Sequence, residues 1–263
     1  MNRLQCVMLD LDGTIYLGNR LFPYTADFLA RLTRLGIGCL FLTNNSSRST
    51  DAYLEKLARM GIQTDASHIL ISSHAAANYL NAHFPEKRVF LLGTDSMRRE
   101  MESRGIRLCE DDPEVLLAGF DTDLNYDRLT KFANFVADGL PYIATHPDRV
   151  CPAEHGFLPD LGSIMELIFA CCGRRPDVVC GKPEEQILIA AEQRTGFSRE
   201  HLLMVGDRLT TDIAIGQWGV KTCLVLSGEA RKEDIPGAPI APTYVFPTLY
   251  ELGLAIEKAR KNE

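Results

Sequence analysis

Short apolar runs alternate with stretches of helical periodicity along most of this chain, and that alternation narrows the fold more than any other feature. "CVMLD", "GCLFLTN", "HILIS", "LLMVGD" and "KTCLVLSG" are nearly continuous in apolar residues. Such runs suit strands buried on both faces, as in a parallel sheet. Parallel strands need crossovers, and helical patterns stand in the gaps. "YTADFLARLTRLG" spaces Phe28, Leu29, Leu32 and Leu35 along one helical face and ends at Gly36, a fitting C-cap. "NNSSRSTDAYLEKLARMG" begins with capping residues, then sets Tyr53, Leu54, Leu57 and Met60 before Gly61. "EEQILIAAEQRTG" supplies another helix before "LLMVGD". The order predicts an α/β protein, a doubly wound, Rossmann-like parallel sheet with right-handed crossovers.

The middle of the chain repeats the pattern independently. "RVFLLGTD", "VLLAGFD" and "PYIATHPD" read as strands. "NYDRLTKFANFVADG" reads as a helix burying Leu129, Phe132, Phe135 and Val136. The expected organisation is a core of residues 1–79 and 179–263 that carries an inserted, smaller α/β domain at 80–178. The charged C-terminal "IEKARKNE" reads as a fraying helix end.

Charge and composition exclude several classes. A formal charge of −7 disfavours nucleic acid as a partner, which would need clustered Lys and Arg. No run approaches the ~20 apolar residues of a membrane span, and the first residues lack a signal-peptide pattern. The eight cysteines are scattered, without CxxC pairs, and several, such as Cys6, Cys39 and Cys223, sit in apolar runs and read as small buried hydrophobes in a reducing cytoplasm.

Open α/β sheets bind ligands at the carboxyl ends of their strands. The residues following the predicted strands are therefore the place to look for chemistry. In "DLDGT", Asp10 ends a strand, and Asp12 faces the same crevice through the period of two. Two like charges so placed require compensation, by a metal ion or a chemical task; an Asx turn or helix cap is the alternative. A calcium loop fails on spacing, since Ile15 and Leu21 occupy its glycine and acidic positions. In "FLTNNSS", Thr43 and Asn44 can hold phosphate oxygens or simply cap a helix. "VVCGKPEE" sets Lys182 between glycine and proline without the spacing of a P-loop. In "MVGDRLTTDIAIG", Asp207 ends a strand and Asp212 begins the next predicted helix, as a metal site or as a cap.

In this order, "DLDGT", "LTNN", "GKP" and "GDRLTTD" resemble the four motifs of the haloacid dehalogenase-like superfamily. The insertion between the second and third resembles its type 2 cap arrangement. "LTNN", "ATHPD" and "VGDRLTTDI…G" look like the NagD/4-nitrophenylphosphatase-like phosphatases within it. The resemblance covers nearly the whole chain.

The resemblance implies a phosphatase of small phosphorylated metabolites, sugar phosphates or nucleoside monophosphates, working through an aspartyl-phosphate. Asp10 would be the nucleophile, and Asp12 would give and later take a proton. Mg²⁺ would be held by the Asp10 and Asp207 carboxylates and the Asp12 carbonyl, with Asp212 orienting water or a ligand. Lys182, Thr43 and the Asn44 main-chain N–H would hold the phosphoryl group. Arg149 and His155, in the loop "THPDRVCPAEHGF", are candidates to meet the leaving group, with solvent-facing roles as the alternative. His146 shows no metal-ligand spacing. The same fold also serves phosphomutases, phosphotransferases, hydrolytic dehalogenases and non-catalytic phosphate-binding regulators. The group also admits a cap-mediated homo-oligomer.

Overall fold

A computed structural model of the chain describes residues 3–152 and 156–261. It opens with β1 (Cys6–Leu9), a small hairpin of β2 (Tyr16–Leu17) and β3 (Arg20–Leu21), helix α1 (Thr25–Arg34) and β4 (Gly38–Thr43). There follow α2 (Thr50–Arg59), β5 (Ile69–Ile71), α3 (Ser72–His83), β6 (Val89–Leu92) and α4 (Asp95–Ser103). Next are β7 (Val115–Ala118), α5 (Tyr126–Ala137), β8 (Tyr142–Ala144), and the antiparallel pair β9 (Val150–Pro152) and β10 (Phe157–Pro159). Helix α6 (Leu161–Cys172), β11 (Val178–Val179) and α7 (Glu185–Thr195) precede β12 (Leu202–Gly206), β13 (Lys221–Val225), β14 (Tyr244–Phe246) and α8 (Leu249–Lys261). Two compact units emerge: Met1–Thr43 with Leu54–Leu70 and Ala191–Glu263, and Asn44–Tyr53 with Ile71–Ala190.

The first unit holds a sheet of order β14-β13-β12-β1-β4-β5. β1 lies between β12 and β4, parallel to both, and all four of its residues are buried. This is the arrangement that continuous apolar runs require, because a strand covered on both faces has no polar side to show. Register fixes the strand ends: Leu9 sits opposite Val205, and the Asp10 N–H donates to the Val205 carbonyl at 2.9 Å. Asp10 and Asp207 therefore leave the sheet at the same edge.

Helix α1 buries Phe28 and Leu32, and stops at Gly36, whose φ of +66° takes the left-handed turn that residues with a Cβ resist. Its Arg31 bonds Glu257 of α8 and Asp27 one turn back. The expected helix at Asp212 is replaced by one turn of π-helix, Leu209–Ile213, running into a 3₁₀ segment, Ala214–Trp218. The wider turn follows from Ile213 N–H reaching back five residues to the Arg208 carbonyl, at 3.1 Å. Helix α8 is regular through Lys261, with a basic last turn that complements its dipole.

The second unit has its own parallel sheet, β11-β8-β7-β6, with α5 and α6 over a core that includes Phe90, Leu116, Phe132, Tyr142 and Ile168. Phe132 and Tyr142 meet edge to face at 5.2 Å. Val136 is buried as the periodicity requires, while Leu129 and Phe135 pack partly buried at the margin. Among the described residues, no helix is long and apolar enough to cross a membrane.

Candidate active site

The first unit gathers three carboxylates from two strand ends. One oxygen from each of Asp10, Asp207 and Asp212 lies within 4.8 Å of the others, a spacing that suits one divalent cation. Asp207 and Asp212 are 2% and 0% exposed and Asp10 is half-buried, so three like charges converge where water reaches only in part. Uncompensated, that is costly. Hydrogen bonds orient the group. Asp207 Oδ1 accepts from the Thr14 hydroxyl at 3.3 Å, Asp207 Oδ2 from the Glu229 N–H at 2.7 Å, and Asp212 Oδ2 from the Arg208 N–H at 3.1 Å.

The backbone around these carboxylates leaves room only for glycine. A Cβ on Gly13, where φ is +85°, would lie 2.3 Å from Asp207 Oδ2. One on Gly206 would lie 2.2 Å from the Asp212 carboxyl carbon, and one on Gly228 would lie 1.9 Å from Asp207 Oδ2. Three chain segments thus pack against acidic groups with no side chain between. Oxygen donors in a tight, pre-formed cradle fit a hard divalent cation.

Asp12 differs from that trio. Its side chain is 55% exposed, and Lys56 Nζ lies 3.8 Å from Oδ2 while stacking 3.9 Å over the Tyr16 ring. Desolvation raises the Asp12 carboxyl above its ordinary range, against the opposing pull of Lys56, the Tyr16 hydroxyl and the Gly18 N–H. A carboxyl held upward and open on one side can exchange a proton. It stands at the base of the β2–β3 hairpin, where the Gly13 N–H donates to the Tyr16 carbonyl.

Thr43 closes β4 and is buried. In the second unit, Asn44 and Lys182 are 5% and 2% exposed. The Asn44 amide bonds the Lys182 main chain twice, accepting from its N–H at 2.8 Å and donating to its carbonyl at 2.9 Å. Arg149 is not drawn into this cluster: its side chain is 77% exposed and meets Glu166 at 3.8 Å. His155 lies outside the described residues.

Two further segments, "ATHPD" and the turn after β13, bring polar groups together. His146 is fully buried, with Nε2 2.9 Å from Asp160 Oδ1 and Nδ1 2.9 Å from the Thr145 hydroxyl. The residues His146, Asp148 and Asp160 approach within 4.8 Å of one another, and the His146–Asp160 hydrogen bond accounts for that pairing. Ser227, Gly228 and Glu229 follow β13, and Ser227 Oγ donates to the Gly13 carbonyl at 2.8 Å. The strand-end rule that singled out Asp10 and Asp207 also reaches this "SGE" segment, though its residue types alone suggest only a turn.

Comparison with known proteins agrees with this geometry. The family model described as haloacid dehalogenase-like hydrolase matches residues 7–107, and a second, HAD-hydrolase-like, matches 179–252. An acid sugar phosphatase of Staphylococcus aureus (strain MRSA252) is 31% identical over 260 residues, spanning 98% of this chain and all of that protein. The crystal structure of 4-nitrophenylphosphatase from Thermotoga maritima superposes with a TM-score of 0.93 at 38% identity, covering 97% of this chain and 98% of that one. NagD from Escherichia coli K-12 superposes at 0.86 with 31% identity, over 94% of this chain and 98% of its own. A trio of converging aspartates, two parallel sheets and these matches lead to one assignment: the chain belongs to the haloacid dehalogenase-like hydrolases, as a NagD-like phosphatase.

Proposed function

We propose that the protein is a Mg²⁺-dependent phosphatase of small phosphomonoesters, with sugar phosphates and nucleoside monophosphates as its substrate class. The observation that carries this reading is the convergence of Asp10, Asp207 and Asp212 inside the cradle left open by Gly13, Gly206 and Gly228. Asp10, Asp207 and the Asp12 carbonyl would hold the cation, and Asp212 would orient a water or ligand beside them. When bound, the cation offsets repulsion between a carboxylate nucleophile and an anionic phosphate.

The chain's own residues then divide the work. A carboxylate oxygen of Asp10 attacks phosphorus in line, and the ester P–O bond breaks. Asp12, its carboxyl held upward, gives its proton to the departing alkoxide. Water next attacks the aspartyl-phosphate at phosphorus while Asp12 takes back a proton, which frees Asp10 and inorganic phosphate. Lys182 neutralises the phosphoryl oxygens, and Thr43 with the Asn44 N–H positions them.

Residues 80–178, as a cap on a core of 1–79 and 179–263, supply the contacts to the leaving group. His155 and Arg149 are candidates, and the solvent-facing side chain of Arg149 is open to a polar substrate group. The relative named an acid sugar phosphatase supports sugar phosphates as members of the substrate class. Release of phosphate from p-nitrophenyl phosphate, in Mg²⁺ and after exhaustive chelation, tests the reading. Turnover is expected only with the metal, and equal rates in both would refute the metal dependence. A panel of sugar phosphates and nucleoside monophosphates then ranks substrates by kcat/KM.

A further inference from the structure

The paired hydrogen bonds between Asn44 and Lys182 do more than fill a loop. The two residues are 138 positions apart, and a side-chain amide satisfies both main-chain groups of one buried lysine. Asn44 Nδ2 also faces the Asp148 carboxylate, at 3.3 and 3.4 Å from its two oxygens. That third partner fixes the amide's orientation. Turned over, it would set NH₂ against an N–H, and oxygen against both a carbonyl and a carboxylate.

The surroundings are shaped for this clamp. A Cβ on Gly181 would lie 2.6 Å from Asn44 Oδ1 and 2.7 Å from the Thr145 carbonyl, so only glycine lets these loop segments close in. Asp148 is held in turn. Its carbonyl accepts the Gly162 N–H at 2.7 Å, and a Cβ on Gly162 would lie 2.3 Å from the Pro147 carbonyl. The sequence "ATHPD" thereby gains a purpose that its residue types do not announce.

We propose that the Asn44 side chain, oriented by Asp148, is a positioning residue for Lys182, fixing the backbone from which the lysine delivers its charge to the phosphoryl group. The inference rests on the phosphatase reading of Lys182 given above. A lysine side chain has four rotatable bonds, so its ammonium is placed accurately only if the stem starts from a fixed backbone. Misplacing a group by about 1 Å costs on the order of 10²-fold in rate. The role is separate from that of the Asn44 main-chain N–H, which alanine at the position retains.

Alanine at position 44 isolates the side chain, and a double-mutant cycle with Lys182→Met tests whether it acts through the lysine. Asn44→Ala is expected to lower kcat/KM for p-nitrophenyl phosphate on the order of 10²-fold in the native background. In the Lys182→Met background the same change is expected to alter the rate by less than about threefold. Losses that multiply, or a native rate in Asn44→Ala beside a crippled Lys182→Met, overturn the inference and leave the phosphatase reading intact. A native rate in Lys182→Met removes the reading of Lys182 and the inference with it. If thermal melting shows that Asn44→Ala does not fold, Asp148→Ala takes its place in the cycle. Non-multiplying losses then support the positioning role, and multiplying losses or a native rate in Asp148→Ala overturn it.

Discussion

A Cβ on Gly228 would lie 1.9 Å from Asp207 Oδ2, closer than any real contact allows. The loop after β13 therefore presses on a carboxylate that ends β12, and the neighbouring Glu229 N–H holds the same oxygen at 2.7 Å. Gly228→Ala must displace Asp207 or the loop. The expected result is a rise of roughly 10- to 100-fold in the Mg²⁺ concentration giving half-maximal activity, the range seen when supports of metal ligands are lost. Titration of activity with Mg²⁺ checks this, and an unchanged midpoint would show that the contact has no bearing on the metal.

Lys56 Nζ lies 3.8 Å from Asp12 Oδ2, and it pulls the carboxyl down against the desolvation that raises it. Lys56→Met removes the downward influence, so the Asp12 carboxyl rises further. A general acid works only while protonated, so the alkaline limb of kcat/KM is expected to move to higher pH in this variant. A limb that stays in place or moves down would contradict the assignment of Asp12.

Glu100 tests the second unit. Burial pushes its carboxyl up, but bonds with His74 and the Thr50 N–H and the nearby Arg104 outweigh this and hold it well below its ordinary 4.5. His74 Nε2 is 3.0 Å from Oε1, and the Thr50 N–H is 3.0 Å from Oε2. A depressed carboxyl contributes stability above its unfolded value, and that contribution is lost as pH falls from about 4.5 toward the folded value. Glu100→Ala is expected to cost about 3 kcal/mol in urea unfolding at pH 7. Its stability should also fall less steeply below pH 4.5 than that of the native protein. Parallel pH profiles would show that the pairing does not stabilise the fold.

The sheet and much of the candidate site were legible because strand ends are marked by a change of composition. Apolar runs stop at Asp10, Thr43 and Asp207, and these stand at the end of β4 or one residue past the ends of β1 and β12. Lys182 follows β11 by the same logic. What escaped depends on long-range packing. Nothing near Asn44 in the chain tells that its amide meets Lys182 or Asp148 rather than capping α2. Gly228 looks like an ordinary turn glycine until β12 and β13 are paired, with Gly206 opposite Leu224. The helix expected at Asp212 became a π turn through a bond five residues back, which periodicity does not register. Arg149, a candidate by charge and loop position, keeps an exposed side chain that meets Glu166 at 3.8 Å.

Asp10 is the group that bonds to phosphorus in this mechanism, and Asp10→Asn tests that role most directly. The substitution keeps the size of the side chain and removes the nucleophilic oxygen charge. Turnover of p-nitrophenyl phosphate at saturating Mg²⁺, with folding verified by thermal melting, is predicted to fall by at least about 10³-fold, a barrier increase of about 4 kcal/mol. A folded Asp10→Asn protein that releases phosphate at the native rate would contradict it.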